Sequence, residues 1–410
     1  MLTGYDIVYF GDNWEGVLRN RQQLMSIFAR HNKVLFIERG NSLQTTISLL
    51  KKKQLHLTDL SRPLVRQISD NLFVFHEPTW APASEKFLLG PLTGLLRRLS
   101  LRYVMRRLNI KQPIVWFYHP NWLDFIDGVP SPRLRLYHVV DEYTSFQDKT
   151  PAMKAFIEAR ERELSQQVDA VIVVSEKLYE SKAPLHPNTY IVPNGVNYQA
   201  YSEALAKPDL PAELAGIKRP ILGYSGLIGD KLELDMLKDL ALKQPDWSLV
   251  FLGPVNANQK QTTWQSLCAM PNVFHFGPVG WSEVPNYVKG FDVGLMPYVQ
   301  NRNSDNISPL KLYDYLAAGL PVVSLDIPAA RKFRDYVYLA ATPKDFESAV
   351  GQALSSISSE QQQARRAIAA QHTWEARVET LSDLILTQLT IKSEKNGFKK
   401  CKGEKSNASS

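Results

Sequence analysis

Short apolar runs and amphipathic stretches alternate along most of the chain. In the first half, Asp6–Phe10, Val34–Glu38, Leu72–His76, Ile114–Tyr118, Leu134–Val140 and Ala170–Val174 have the length and character of strands. Arg21–Arg30 and Met153–Gln166 space their apolar residues as helices do. Tyr190-Ile191-Val192-Pro193 predicts one more strand, and Asn194-Gly195 turns out of it. A second series opens with Ile221–Ser225 and predicts strands at Leu249–Leu252, Val273–Phe276, Val293–Met296, Pro321–Leu325 and Tyr338–Ala340. Its predicted helices are Leu232–Lys243, Trp281–Val288, Pro309–Ala318 and Lys344–Ser356. Strands separated by helices predict the α/β class with parallel, doubly wound sheets. The polar stretch 199–220, with Pro208, Pro211 and Pro220, reads as a linker between a first domain over 1–198 and a second over 221–373. Gln361–Leu389 reads as helix, broken at Trp374, and 392–410 as a disordered basic tail without apolar pattern.

Within the second series, Ser308–Val323 carries the most chemistry. Ser308 suits a helix N-cap and Pro309 the first helical position, while Gly319 and Pro321 stop the helix before a buried strand. Free N–H groups and the positive dipole end at such a start suit a phosphate. Lys311 adds a full charge in the first turn, and Asp314 follows one turn later. Phosphate, cation and carboxylate together suggest a nucleoside diphosphate and its ribose. Upstream, Ile221–Lys231 is a strand running into a glycine-rich turn (Gly223, Gly226, Gly229), where backbone can approach a phosphate closely.

This segment resembles the nucleotide-binding helix of GT-B fold glycosyltransferases, in the bacterial polysaccharide, group 1-like branch. The run Pro309-Leu310-Lys311-Leu312-Tyr313-Asp314-Tyr315-Leu316-Ala317-Ala318-Gly319 carries the likeness, with Pro193-Asn194-Gly195-Val196 and Tyr9–Met25 beside it. The resemblance implies two Rossmann-like domains facing across a cleft, the second binding a nucleotide sugar and the first an acceptor. It implies that Ser308, Pro309, Leu310 and Lys311 hold the donor pyrophosphate with Gly226 and Lys231. Asp314 would hold the ribose, and Asn194 would border the cleft. It also implies a last helix, 374–391, that returns to the first domain. Many retaining members have a Glu where this chain has Asn306 and an Arg where it has Leu227. Stereochemistry therefore stays open.

If the reaction inverts, a general base is needed near the acceptor hydroxyl. Asp141, Glu142 and His119 end apolar strands of the first domain and are the candidates, Asp141 first. Arg19 or Arg21 is a candidate for an acceptor phosphate. The expected activity is hexosyl transfer from a UDP sugar to a glycan or lipid-linked acceptor in surface polysaccharide synthesis. No cofactor or bound metal is expected. A sugar-nucleotide epimerase of the same fold and a catalytically inactive nucleotide-binding relative are the rival readings.

Composition adds a location. The net charge is +7 and the pI near 9.1, which favours an anionic partner. Arg97, Arg98, Arg102, Arg106 and Arg107 alternate with leucines and predict a helix with a basic face, suited to anionic lipid, with Lys51-Lys52-Lys53 adding to it. No nucleic-acid motif is evident. Two distant cysteines, Cys268 and Cys401, imply no disulfide framework, and neither a signal peptide nor a membrane span is evident. The expectation is a cytoplasmic protein, peripheral on the inner membrane face.

Overall fold

The computed structural model describes residues 1–15, 20–52, 63–82, 89–145 and 150–406. Gly16, Arg19 and Lys53 lie outside them. The chain forms two compact units, Met1–Val192 with Val378–Ser410, and Pro193–Arg377.

The first unit holds β1 (Asp6–Phe10), β2 (Lys33–Glu38), β3 (Val65–Ser69), β4 (Leu72–His76), β5 (Ile114–Phe117), β6 (Leu134–Val139), β7 (Ala170–Val173) and β8 (Thr189–Ile191). They form one sheet in the order β3-β4-β2-β1-β5-β6-β7-β8. Every pairing is parallel except β3 with β4. The central strands are buried along their length, as a sheet covered on both faces requires. The edge strand β3 is mostly exposed, which is why its polar sequence gave no strand signal. The second unit adds β9 (Ile221–Ser225), β10 (Ile228–Gly229), β11 (Ser248–Leu252), β12 (Val255–Asn256), β13 (Val273–His275), β14 (Val293–Met296), β15 (Val322–Leu325) and β16 (Val337–Ala340). Its main sheet runs β13-β11-β9-β14-β15-β16, all parallel, and β10 pairs with β12. The order of each sheet reverses once, between β1 and β5 and between β9 and β14.

Four sequence expectations need revision. The stretch 199–220 is no open linker: Tyr198–Ala206 and Ala212–Ala215 are helices of the second unit, with Tyr201, Ala204 and Leu214 buried. The unit boundary falls at Val192 rather than 198. The last helix runs Trp374–Ser406, through most of the expected disordered tail. Its Val378, Leu381 and Ile385 are fully buried, Gln388 donates to the Tyr190 hydroxyl at 2.8 Å, and Lys392 pairs with Asp169 at 2.7 Å. A long anchored helix extends into residues that have no apolar face of their own.

The fourth revision concerns the arginine-rich helix, Leu89–Arg107. Arg97 turns inward to an ion pair with Glu77, its guanidinium 4.9 Å from the Phe125 ring. Arg102 donates to the carbonyls of Gly128 and Asp127 at 3.1 and 3.0 Å. The outward stripe is apolar instead: Leu92, Leu95, Leu99 and Tyr103 are each about half exposed, and Arg106 and Arg107 close it at one end. Arginine with a carboxylate in reach is easier to bury than the sequence pattern alone suggests. Among the described residues no helix is long and apolar enough to cross a membrane.

His138, on β6, is buried beside Trp116, and neither ring nitrogen has a hydrogen-bond partner among the described residues. Burial pulls its pKa from 6.5 down to about 4. Between these values the unfolded chain binds the extra proton, so stability is full above pH 6.5 and falls as pH drops toward 4, by about 1.4 kcal/mol per pH unit. Unfolding free energies of wild type and His138→Leu, measured by urea titration from pH 7 to about 4.5, should shift against the wild type as the pH falls. A difference independent of pH would show that His138 is not held neutral.

Candidate functional site

In open parallel sheets, ligands bind at the carboxyl ends of the strands where the order reverses. In the second unit that point lies past β9 and β14, and the helix Leu310–Ala317 starts there. Its N-cap is Pro309, not Ser308 as the sequence predicts, and no side chain caps it. The reason is Asn194. Its backbone N–H donates to the Ser308 hydroxyl at 3.2 Å, and its side-chain amide donates to the Ser308 carbonyl at 2.7 Å. Ser308 is thereby occupied as an anchor for the turn before the helix. Asn194 is itself fixed by Arg377, which donates to its carbonyl at 3.2 Å, while Val196 bridges to Thr373. Leu310 opens the helix, half-buried.

Lys311 follows, only 7 % exposed. Its ammonium lies 4.6 Å from the Tyr224 ring centre and 5.1 Å from that of Tyr298, and donates to the Tyr298 hydroxyl at 2.8 Å. Aromatic faces recover part of the hydration that a buried cation loses. Burial still lowers the Lys311 pKa to about 8, against the pull of Asp314. Asp314 shows the mirror effect: burial raises it to about 7, opposed by a hydrogen bond from Tyr201 and by the Lys311 charge. The Lys231 ammonium sits 5.9 Å from the Tyr298 ring, so both cations share one aromatic wall. An antiparallel bridge between Leu232 and Tyr298 holds that wall in place.

The glycine turn fits closely under this group. Gly226 has φ +135°, and a Cβ there would meet the Lys311 ammonium at 3.1 Å. Gly253, at φ +138°, would drive a Cβ to 2.2 Å from the Gly226 carbonyl. Tyr315 accepts the Ser225 N–H at 2.9 Å, tying β9 to the helix. The unit thus gathers Gly226, Lys231, Lys311 and Asp314 around Tyr224, Tyr298 and Tyr315. Sequence reasoning passed over Tyr201 and the three tyrosines of this wall. Tyr298 stands two residues past a strand's carboxyl end, a place that could have flagged it. Leu227, where many retaining members have arginine, is exposed, and Asn306 is buried with its amide on the Arg302 carbonyl.

In the first unit the three candidate bases fare differently. Asp141 follows β6, half-buried. Glu142, its neighbour, is buried with Lys182 at 3.0 Å and the Thr144 hydroxyl at 2.8 Å. Lys182 also pairs with Glu161 at 2.8 Å, which accepts from the Tyr137 hydroxyl at 2.8 Å. Burial would raise the Glu142 pKa, but Lys182 and the Thr144 bonds outweigh it and hold it low. A carboxylate so satisfied is a poor proton acceptor, so its expected catalytic place is not supported. His119 caps the turn Pro120–Phe125, its Nδ1 accepting the Asn121 N–H at 3.1 Å, and its ring packs 4.3 Å from Tyr143. One nitrogen is therefore engaged structurally.

Comparison with known proteins agrees with this architecture. Residues 229–357 match the family model described as Glycosyl transferases group 1. Over 206 residues the chain is 36 % identical to a protein of Bacillus subtilis (strain 168) provisionally named teichuronic acid biosynthesis glycosyltransferase TuaH, covering 49 % of this chain and 50 % of that one. The chain thus spans about half the length of the curated relative it matches. Sucrose-phosphate synthase (tll1590) of Thermosynechococcus elongatus is similar in structure, with TM-score 0.70 and 14 % identity over 94 % of this chain and all of that one (100 %). Anabaena Alr3699/HepE, solved in complex with UDP and glucose, superposes with TM-score 0.61 and 12 % identity over 93 % of this chain and 100 % of that one. The two doubly wound units of this chain have the GT-B fold, and residues 229–357 of the second unit match the glycosyl transferases group 1 model.

Proposed function

We propose that the protein transfers a hexosyl group from a UDP sugar to a glycan or lipid-linked acceptor in surface polysaccharide synthesis. One observation carries this reading: a buried ammonium, Lys311, held on two tyrosine faces at the sheet's reversal point, beside an uncapped helix start. The relative named for teichuronic acid biosynthesis and the neighbour holding UDP and glucose support the polymer and the donor.

In this reading the pyrophosphate rests on the N–H groups after Pro309 and beside Gly226. As the bond from sugar C1 to the phosphate oxygen breaks, charge develops on UDP, and Lys311 and Lys231 stabilise it there. That neutralisation is the metal-independent route, and activity is expected to survive EDTA. Asp314 accepts hydrogen bonds from the ribose. Asp141 takes the proton of the acceptor hydroxyl as its oxygen attacks C1. If the configuration is retained instead, the donor phosphate takes that proton.

The exposed stripe Leu92–Leu95–Leu99–Tyr103 with Arg106 and Arg107 favours an acceptor carried on an anionic membrane. Leu95→Glu with Leu99→Glu should abolish sedimentation with phosphatidylglycerol vesicles and leave UDP binding unchanged. Equal sedimentation of the variant would remove the membrane from the reading.

UDP should raise the melting temperature of the wild type. Lys311→Met removes one charge-assisted contact and should weaken UDP by roughly 10- to 100-fold. Unchanged affinity would place the donor elsewhere. The donor complex wants Lys311 protonated and Asp314 ionised. UDP affinity should therefore peak between pH 7 and 8, falling below it as Asp314 takes a proton and above it as Lys311 loses one. Calorimetric titration across pH 6 to 9 checks both limbs, and a flat profile would exclude this pair. Asp141→Asn should lower kcat by about 100-fold or more at unchanged UDP affinity. Full activity would assign the proton to the donor phosphate, and UDP binding without transfer in the wild type would favour the inactive relative.

A further inference from the structure

The first unit has its own reversal point, between β1 and β5, and a second buried cation stands there. Arg21, on the helix Asn20–Phe28, is 2 % exposed. Its Nη2 pairs with Asp12, two residues past β1, and its guanidinium lies 4.5 Å over the ring of Tyr118, the residue that follows β5. Its Nε and both hydrogens of Nη1 have no hydrogen-bond partner among the described residues. Tyr9, on β1, is fully buried, and its hydroxyl is also without a partner among the described residues. Burial raises the Tyr9 pKa while the Arg21 charge lowers it, so the phenol and the guanidinium share one neighbourhood.

Such groups are costly to leave unmet, and natural structures pair nearly all of them. Here the unmet hydrogens of Arg21 and Tyr9 belong to side chains at the reversal point of the sheet, the place where open sheets receive ligands. Asp12, the ion-pair partner of Arg21, has a side chain 42 % exposed, so the buried guanidinium lies one residue from the surface. The start of the Asn20–Phe28 helix adds positive potential, with no acidic residue in its first turn. Guanidinium and phenol hydrogens without acceptors call for a ligand rich in lone pairs, and the edge of the guanidinium that Asp12 leaves open suits an oxyanion.

We propose that Arg21 and Tyr9 form an oxyanion subsite of the first unit, which binds a carboxylate or phosphate group of the acceptor. The name acceptor rests on the transfer reading above, whereas the oxyanion site does not. Lysine would not serve equally, because it lacks the planar fork that addresses Asp12 and a ligand at once. A carboxylate would come from a uronic acid residue of the glycan, and a phosphate from a phosphorylated sugar or lipid carrier.

The test uses the full chain with the second unit saturated by UDP. Melting temperatures are read against sodium glucuronate, inorganic phosphate and neutral glucose, at constant ionic strength in chloride. Wild type should be stabilised by glucuronate or by phosphate and not by glucose, and whichever anion acts names the source. Tyr9→Phe is the variant least able to disturb the fold, because it deletes an unpaired hydroxyl. It should melt at or above the wild-type temperature without anion, and should bind the anion about tenfold more weakly. Arg21→Lys should lose more. No difference between either anion and chloride would overturn the site. So would equal anion binding by the two variants and the wild type, or a lower melting temperature of anion-free Tyr9→Phe, which would show that the hydroxyl already has a protein partner. The UDP shift is recorded in the same series, so its absence would refute the donor reading alone.

Discussion

Everything at the two candidate sites follows from a constraint on parallel sheets. All strands of such a sheet end on the same edge, and the helices that connect them must fold to one face or the other. Where the order reverses, two neighbouring connections leave in opposite directions and open a crevice between them. Both units reverse once, and at both crevices the chain buries a cation against aromatic rings: Lys311 on Tyr224 and Tyr298, Arg21 on Tyr118. The aromatic faces offset part of the lost hydration and leave the remaining charge facing inward. The hydroxyls of those rings then organise the backbone around them: Tyr224 donates to the Leu227 carbonyl at 2.9 Å, within the glycine turn.

The strands were legible because burial on both faces leaves nearly unbroken apolar runs. Of the thirteen predicted from the sequence, β1, β4, β9 and β14 coincide with Asp6–Phe10, Leu72–His76, Ile221–Ser225 and Val293–Met296, and the others differ at their ends by a residue or two. The helix Leu310–Ala317 and its lysine were legible from Pro, Gly and a short motif. What sequence could not supply was the partner of each polar side chain. Glu142 and Asp141 look equivalent on paper, but only Glu142 has Lys182 beside it, forty residues on. Ser308 looks like a cap until Asn194 claims its hydroxyl. The arginines of Leu89–Arg107 look like a solvent face until Glu77 and the Asp127 and Gly128 carbonyls turn two of them inward. Each case depends on a contact between residues distant along the chain, and periodicity within one element is blind to it.

The two buried cations differ in a way that suits different tasks. Lys311 carries its charge at one atom, with a pKa lowered to about 8, so its protonation responds to what binds beside it. Arg21 spreads its charge over a planar guanidinium and presents hydrogens in fixed directions. The first arrangement follows a charge that grows during bond breaking, while the second fixes where a permanent charge sits.

The first unit is discontinuous in sequence, built from Met1–Val192 and Val378–Ser410 around the whole of the second. During synthesis its sheet leaves the ribosome first, yet Val378, Leu381 and Ile385, which complete its core, come only after residues 193–377. For that interval, while the second unit is being made, the nascent first unit lacks the helix that covers this part of its core. The last helix is therefore a closing step in the biogenesis of the earlier-made of the two units, and a ribosome stalled before it leaves that unit unsealed.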